Sequence, residues 1–249
     1  MANRIEFEMD NPERDAWHFA RLTSHKNTLL RGNIRKEHPD LEKALIGIED
    51  DDARADKIRE YVDDFYSRHS SDMSTSITVF QGWWDPVNDA YMGAVADVLE
   101  TDWAPPSGVV RGFVSMVPVN PRYLKVGAFS VYWKSDQDEL RHIAGHETLH
   151  FHYFNKWKDV FPGSDELTFE HPHPIWVLSE LLAPVLMNDE RVASIIGQSW
   201  PSYLTRLREL EGELGGMYAE SRARGQSMGG FLEDCYKKIM AREGQLRGL

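Results

Sequence analysis

The sequence predicts an α+β fold, with a small β-sheet packed on one central helix and helical regions before and after it. Three observations carry this. β-Branched and aromatic texture is confined to residues 75–133, where TSITVF, GVVRGFVSMVPV and VGAFSVYW recur between breaks. On both sides of that stretch, apolar residues return at three- and four-residue spacing, the mark of half-buried helices. A hydrophobic fraction of 41% over 249 residues suits a folded chain with one sizeable core. The reading divides the chain into an N-terminal helical region (1–70), a core (71–190) and a C-terminal helical region (191–249) packed on that core.

Taken in order, the first 70 residues read as helical. Asp10 is the expected N-cap before Pro12, and further segments run over 39–48 and 53–68. The acidic run at 49–52 separates the last two, as a solvated turn whose carboxylates suit the positive end of the next helix. From residue 75 the pattern reads β, α, β, β: TSITVF, a helix over 86–99, then the two valine-rich strands. APPSG at 104–108 is the loop before those strands, and VNPRY at 119–123 is the turn between them. Beyond Trp133 no further strand is expected. Helices are expected over 136–158, 174–188, 201–222 and 229–245, with Gly215 and Gly216 interrupting the third.

Composition narrows the function. A formal net charge of −12 opposes a broad grip on phosphate backbones or anionic lipid, so neither nucleic acid nor membrane is an expected partner. No apolar stretch approaches the roughly 20 residues that span a bilayer, and MANRIEFEMD lacks the design of a signal peptide. The expectation is a cytoplasmic protein. Cys235 is the single cysteine, so a metal site here must use nitrogen and oxygen ligands.

Such ligands occur in HETLH at 146–150. Ser135 and Asp138 have capping-box spacing, so the surrounding helix should begin at Asp136. A turn of about 100° per residue places Leu140, Ile143, Ala144, Phe151 and Phe154 on one apolar face. His146 and His150 lie about 40° apart, one turn along, and both imidazoles can converge on one ion. Glu147 falls beside them, where a carboxylate can act as general base without taking a ligand position. His152 points to the polar side with Arg141, Asn155 and Lys156, a poor place for a ligand. His142, one turn before His146, reads as structural or as a group facing substrate.

A tetrahedral catalytic zinc needs a third protein ligand. Lys156 stands six residues after His150, where a third histidine of the extended motif would be. Glu180, in the apolar run WVLSELLAPVL, is the best candidate, because a carboxylate there is costly unless paired or metal-bound. Pro184 should bend or end its helix. Glu166, Glu170, His171 and His173 of DELTFEHPHP compete for the position, and His171 and His173 are better read as substrate or oxyanion contacts. Asp189 reads as a helix cap or as a partner to a ligand histidine.

HETLH followed by a glutamate 30 residues after its last histidine resembles the gluzincin branch of the zincin metallopeptidases, over residues 75–190. The resemblance implies a compact zincin-like catalytic core, Zn2+ held by His146, His150 and Glu180, and Glu147 as base. It departs from the thermolysin-like pattern at Ser179 and Pro184, where an asparagine and an acidic residue are usual. The activity implied is hydrolysis of a peptide or protein substrate, bound in extended form along a sheet edge. Two alternatives stand beside it: a zinc hydrolase acting on a non-peptide amide, and a latent or inactive zincin-like binding or regulatory protein. His171, His173, Tyr153 and Tyr218 are the candidate donors to a transition state.

Overall fold

A computed structural model of the chain describes residues 3–24, 31–105 and 107–246. Residues 1–2, 25–30, Pro106 and 247–249, parts of the expected N- and C-terminal helical regions and of the APPSG loop, lie outside the described residues. The elements run β1 (Arg4–Met9), α1 (Pro12–Thr23), α2 (Arg31–Glu37), α3 (Pro39–Ala44), α4 (Asp51–Trp84), α5 (Asn88–Leu99), β2 (Val109–Ser115), β3 (Arg122–Tyr123), β4 (Ala128–Tyr132), α6 (Gln137–Val160), α7 (Pro174–Met187), α8 (Glu190–Ile196), α9 (Arg208–Ala223), α10 (Met228–Met240) and α11 (Glu243–Leu246). The fold is α+β, with one four-stranded sheet in the order β1-β2-β4-β3 among the described residues. The chain separates into two compact units, Ile5–Pro86 with Val109–Ile143, and Met1–Arg4 with Val87–Gly108 and Ala144–Leu249. α6 begins in the first and continues in the second.

The first unit holds the sheet. β2 and β4 pair in parallel, Arg111 opposite Ala128 through Ser115 opposite Tyr132, and β3 adds to β4 antiparallel. VNPRY is therefore more than a turn, since its last two residues form the edge strand β3. The expected helical start of the chain is corrected by β1: RIEFEM alternates, with Ile5 and Phe7 buried between more exposed charged residues. Gln81 of α4 serves this strand through its side-chain amide, accepting from the Phe7 N–H and donating to the Ile5 carbonyl, both at 3.0 Å. Phe7 also explains Gly112, where a Cβ would stand 2.5 Å from the Phe7 Cδ1.

Asn11, not Asp10, caps α1, accepting from the Glu13 N–H at 2.8 Å. Asp10 is drawn into a buried polar cluster instead, where it pairs with Arg14 at 2.8 Å and accepts from the Ser130 hydroxyl at 3.0 Å. Asp15 lies beside it, accepting from the hydroxyls of Ser115 (2.6 Å) and Tyr66 (2.8 Å). Burial, then the neighbouring charge of Asp10, pushes the Asp15 carboxyl up to about 7 against the pull of those hydroxyls.

TSITVF is not a strand. It continues α4, which runs unbroken from Asp51 to Trp84 after the N-cap Asp50. The buried positions Ile58, Val62, Phe65, Tyr66, Met73, Phe80 and Trp84 form one helical stripe, so tertiary burial outweighs local β propensity. The hydroxyls of Ser74, Thr75, Ser76 and Thr78 bond back to carbonyls four residues earlier, which accommodates these residues in a helix. The acidic run at 49–52 does start the helix, with Asp50 accepting from the Ala53 N–H at 2.8 Å.

The second unit is helical. Its α7 is apolar on nearly every side, with Ile175 through Pro184 buried together with Leu186 and Met187, as befits a helix surrounded by others. Pro184 neither ends nor interrupts α7, which runs on to Met187, where the Asn188 N–H bonds the Pro184 carbonyl. Gly215 and Gly216 do not interrupt α9, because the buried stripe Leu210, Leu214, Tyr218 and Ser221 holds it across them. That burial offsets about 1 kcal/mol of helix propensity lost at each glycine. No helix among the described residues is long and apolar enough to cross a membrane.

Candidate metal centre

The motif helix α6 starts with a reciprocal cap one residue later than the sequence suggests. The Asp136 carboxylate accepts from the Glu139 N–H at 2.9 Å, while the Glu139 carboxylate accepts from the Asp136 N–H at 3.3 Å. From Ala144 to Phe154 every residue of α6 is buried except His146, which is half-buried. The HETLH turns thus lie in the interior of the second unit and open toward solvent at His146, whose side chain is 19% exposed while that of His150 is fully buried.

The i, i+4 spacing does what helix geometry demands. The Nε2 atoms of His146 and His150 lie 3.0 Å apart, with the rings edge-to-face at 80°. Phe154, a further turn along, stacks on the His150 ring at 5.9 Å and is itself stacked on Phe169 at 4.4 Å. An aromatic column therefore sets the orientation of His150.

The second component comes from α7. His173 caps this helix, its Nδ1 accepting from the Ile175 N–H at 3.2 Å, and Pro174 begins it. Six residues after Pro174, Glu180 projects its carboxylate onto the histidine pair, Oε2 at 3.4 Å from His146 Nε2 and Oε1 at 3.4 Å from His150 Nε2. The Glu180 side chain is only 5% exposed. A buried carboxylate facing two ring nitrogens is stable when a cation, a proton or a hydrogen bond lies between them.

Glu147 completes the group. Its Oε1 lies 4.0 Å from His146 Nε2, with the side chain 9% exposed. Among the described residues, His146, Glu147 and His150 have donor atoms within 4.8 Å of one another and can hold a metal ion. Both carboxylates are thus candidates for a third ligand, and Glu180 is the nearer, touching both imidazoles. A tetrahedral ion with bonds of about 2.0–2.1 Å holds its donors about 3.3 Å apart. The closest separations here are 3.0 Å between the imidazoles and 3.4 Å from each imidazole to a different oxygen of Glu180.

Comparison with protein-family models, curated proteins and solved structures returns no match. The site therefore stands on its own residues.

The other sequence candidates fall elsewhere. His173 is engaged as the α7 cap, and His171 is exposed, edge-on to Trp176 at 4.9 Å. Glu166 pairs with Lys158 at 2.6 Å, and Glu170 is exposed. Asp189 caps α8, accepts from the Tyr218 hydroxyl at 2.6 Å and pairs with Arg191 at 2.8 Å. The Arg191 hydrogen bonds hold its carboxyl below the usual range.

His152 is the clearest departure from the helical wheel. It is 1% exposed and edge-on to Trp103 at 4.9 Å, not on a solvated face. The segment after α5 covers that side of α6, with Thr101 accepting from the Asn155 amide at 2.9 Å and the Glu100 carbonyl accepting from Lys156 at 2.8 Å. Burial pushes the His152 imidazole down to about 4, so it is neutral near neutral pH. Sequence reasoning also passed over Tyr91 and Phe169, whose signal was only that of apolar positions in a helix and a loop.

Proposed function

We propose that this chain is a zinc-dependent metallopeptidase of the gluzincin type. The observation that carries the reading is the convergence of Glu180, from a second helix, on the His146 and His150 pair, with Glu147 beside them. His146, His150 and Glu180 would hold the ion. When bound there, zinc supplies Lewis acidity, polarising a carbonyl and lowering the pKa of a coordinated water to about 7.

Glu147 is the proton carrier. Lying farther from His146 than Glu180 does, it is assigned the base role, taking a proton from the attacking water and passing it to the leaving amine nitrogen. Its burial keeps bulk water from competing for that proton, and the half-buried His146 marks the side from which a substrate amide arrives. His150, pinned by Phe154, keeps the donor set rigid while the proton moves.

The test is metal content followed by turnover. Protein purified without added metal should carry about one zinc per chain, and Glu147→Gln should keep the zinc while losing peptide hydrolysis by about 100-fold or more. Peptide libraries screened beside small amides separate a peptidase from a hydrolase of other amides. A well-folded sample without stoichiometric metal would sink the reading.

A further inference from the structure

The turn that carries the two histidines is held by its backbone as well as by its side chains. Tyr91 of α5 is fully buried, and its hydroxyl donates to the carbonyl of Gly145 at 2.5 Å. Gly145 directly precedes His146. It is also a point of close approach, because a Cβ there would stand 2.7 Å from the Ile196 Cδ1 of α8 and 3.3 Å from both the Met187 Cε of α7 and the Tyr91 hydroxyl. Side chains from three other helices thus meet at one backbone position, and a methyl group there would force the Ile196 Cδ1 to move and crowd the Met187 and Tyr91 tips.

One of those three is the helix of Glu180. Met187 lies seven residues after Glu180, about two turns along α7. The separation of α6 from α7 at Gly145 therefore bears on the gap across which Glu180 meets the histidines, 3.4 Å to each. The Tyr91 hydroxyl adds a second restraint, tying the start of the ligand-bearing turn to α5.

We infer that Gly145 and Tyr91 are positioning residues for the metal centre, Gly145 by setting the spacing between the α6 and α7 ligands and Tyr91 by anchoring the turn that presents His146. The inference rests on the reading that His146, His150 and Glu180 hold a metal. Neither residue is one of those ligands. Each acts through the geometry of those that do, as the outer partners of metal ligands commonly do, with effects of about 10–100-fold on affinity.

The experiment measures zinc affinity by competition with a chromophoric chelator, the visible spectrum of the cobalt-loaded protein, and the thermal stability of the metal-free protein. Tyr91→Phe keeps the ring and removes the hydroxyl. It should weaken zinc binding about tenfold and alter the cobalt spectrum. Gly145→Ala should weaken binding further, and Ile196→Val, which deletes the obstructing Cδ1, should restore much of that loss in the double variant. Val98→Ala, two turns along the same helix from Tyr91 and buried, should lower metal-free stability while zinc affinity stays within about twofold of wild type. Wild-type affinity and spectrum in both Tyr91→Phe and Gly145→Ala would overturn the positioning role alone. A wild type that binds no zinc would overturn the metal centre and this inference together.

Discussion

Replacing Glu180 by glutamine separates the two carboxylates of the site. The substitution keeps the size of a side chain buried in α7 and removes the charge whose oxygens stand 3.4 Å from both His146 and His150. A ligand that binds only the folded state stabilises it by RT ln(1 + [L]/Kd), about 2.7 kcal/mol when zinc is present at 100 times the wild-type Kd. At about 2–4 °C per kcal/mol for a chain of this size, zinc should raise the wild-type Tm by about 5–11 °C. Outer partners of metal ligands alone change affinity by about 10–100-fold, so loss of a ligand should cost about 100-fold or more. At the same zinc concentration the Glu180→Gln protein then sits near its own Kd and gains about 0.4 kcal/mol, a shift of about 1–2 °C. Differential scanning fluorimetry with buffered zinc reads both shifts. Glu147→Gln should keep the full wild-type shift. If instead Glu180→Gln keeps it and Glu147→Gln loses it, Glu147 is the third ligand and the assignment of base and ligand is reversed.

Three further predictions concern the sheet-bearing unit. The Asp15 carboxyl is raised above its ordinary 3.8 to about 7, so its protonation favours the folded state and that contribution is lost as pH rises from about 4 through 7. Urea midpoints should fall across that window in the wild type and fall less in Asp15→Asn; equal slopes in the two proteins would contradict the buried-carboxyl assignment. In α4, exposed Thr78→Ala should raise stability by roughly 0.5 kcal/mol, whereas buried Phe80→Ala should cost about 3–5 kcal/mol. A loss of stability in Thr78→Ala would favour a strand at TSITVF. Gly112→Ala, which brings a methyl to 2.5 Å from the Phe7 ring, should cost about 1–3 kcal/mol in denaturant unfolding, and Phe7→Leu in the same chain should recover part of it.

What was legible in the sequence was what repeats locally. The HETLH helix, the valine-rich strands β2 and β4, and helices α7, α9 and α10 announced themselves through period, caps and flanking breaks, whereas the short α8 did not. The misreadings have two different causes. TSITVF has the composition of a strand, yet Met73, Phe80 and Trp84 continue the buried stripe of a thirty-four-residue helix that starts at Asp51. RIEFEM has the alternation of a strand in a stretch read as helical, and its two buried residues, Ile5 and Phe7, make it β1. At TSITVF the partner across the core, distant in sequence, selected the helix over local strand texture, whereas the alternation of RIEFEM is itself a local strand signal.

The same division runs through the site. The sequence by itself determined that His146 and His150 share one face of α6 and that Glu147 stands next to them, because helical periodicity is a property of the local chain. It also marked Glu180 as a carboxylate in apolar surroundings, through its neighbours alone. Only the tertiary structure decided that Glu180 reaches both imidazoles while His173 caps its helix, that Trp103 and Thr101 close over the face carrying His152, and that Tyr91, Met187 and Ile196 meet at Gly145. Those are contacts between residues far apart in the chain, fixed by how whole helices pack rather than by the spacing of residues within one.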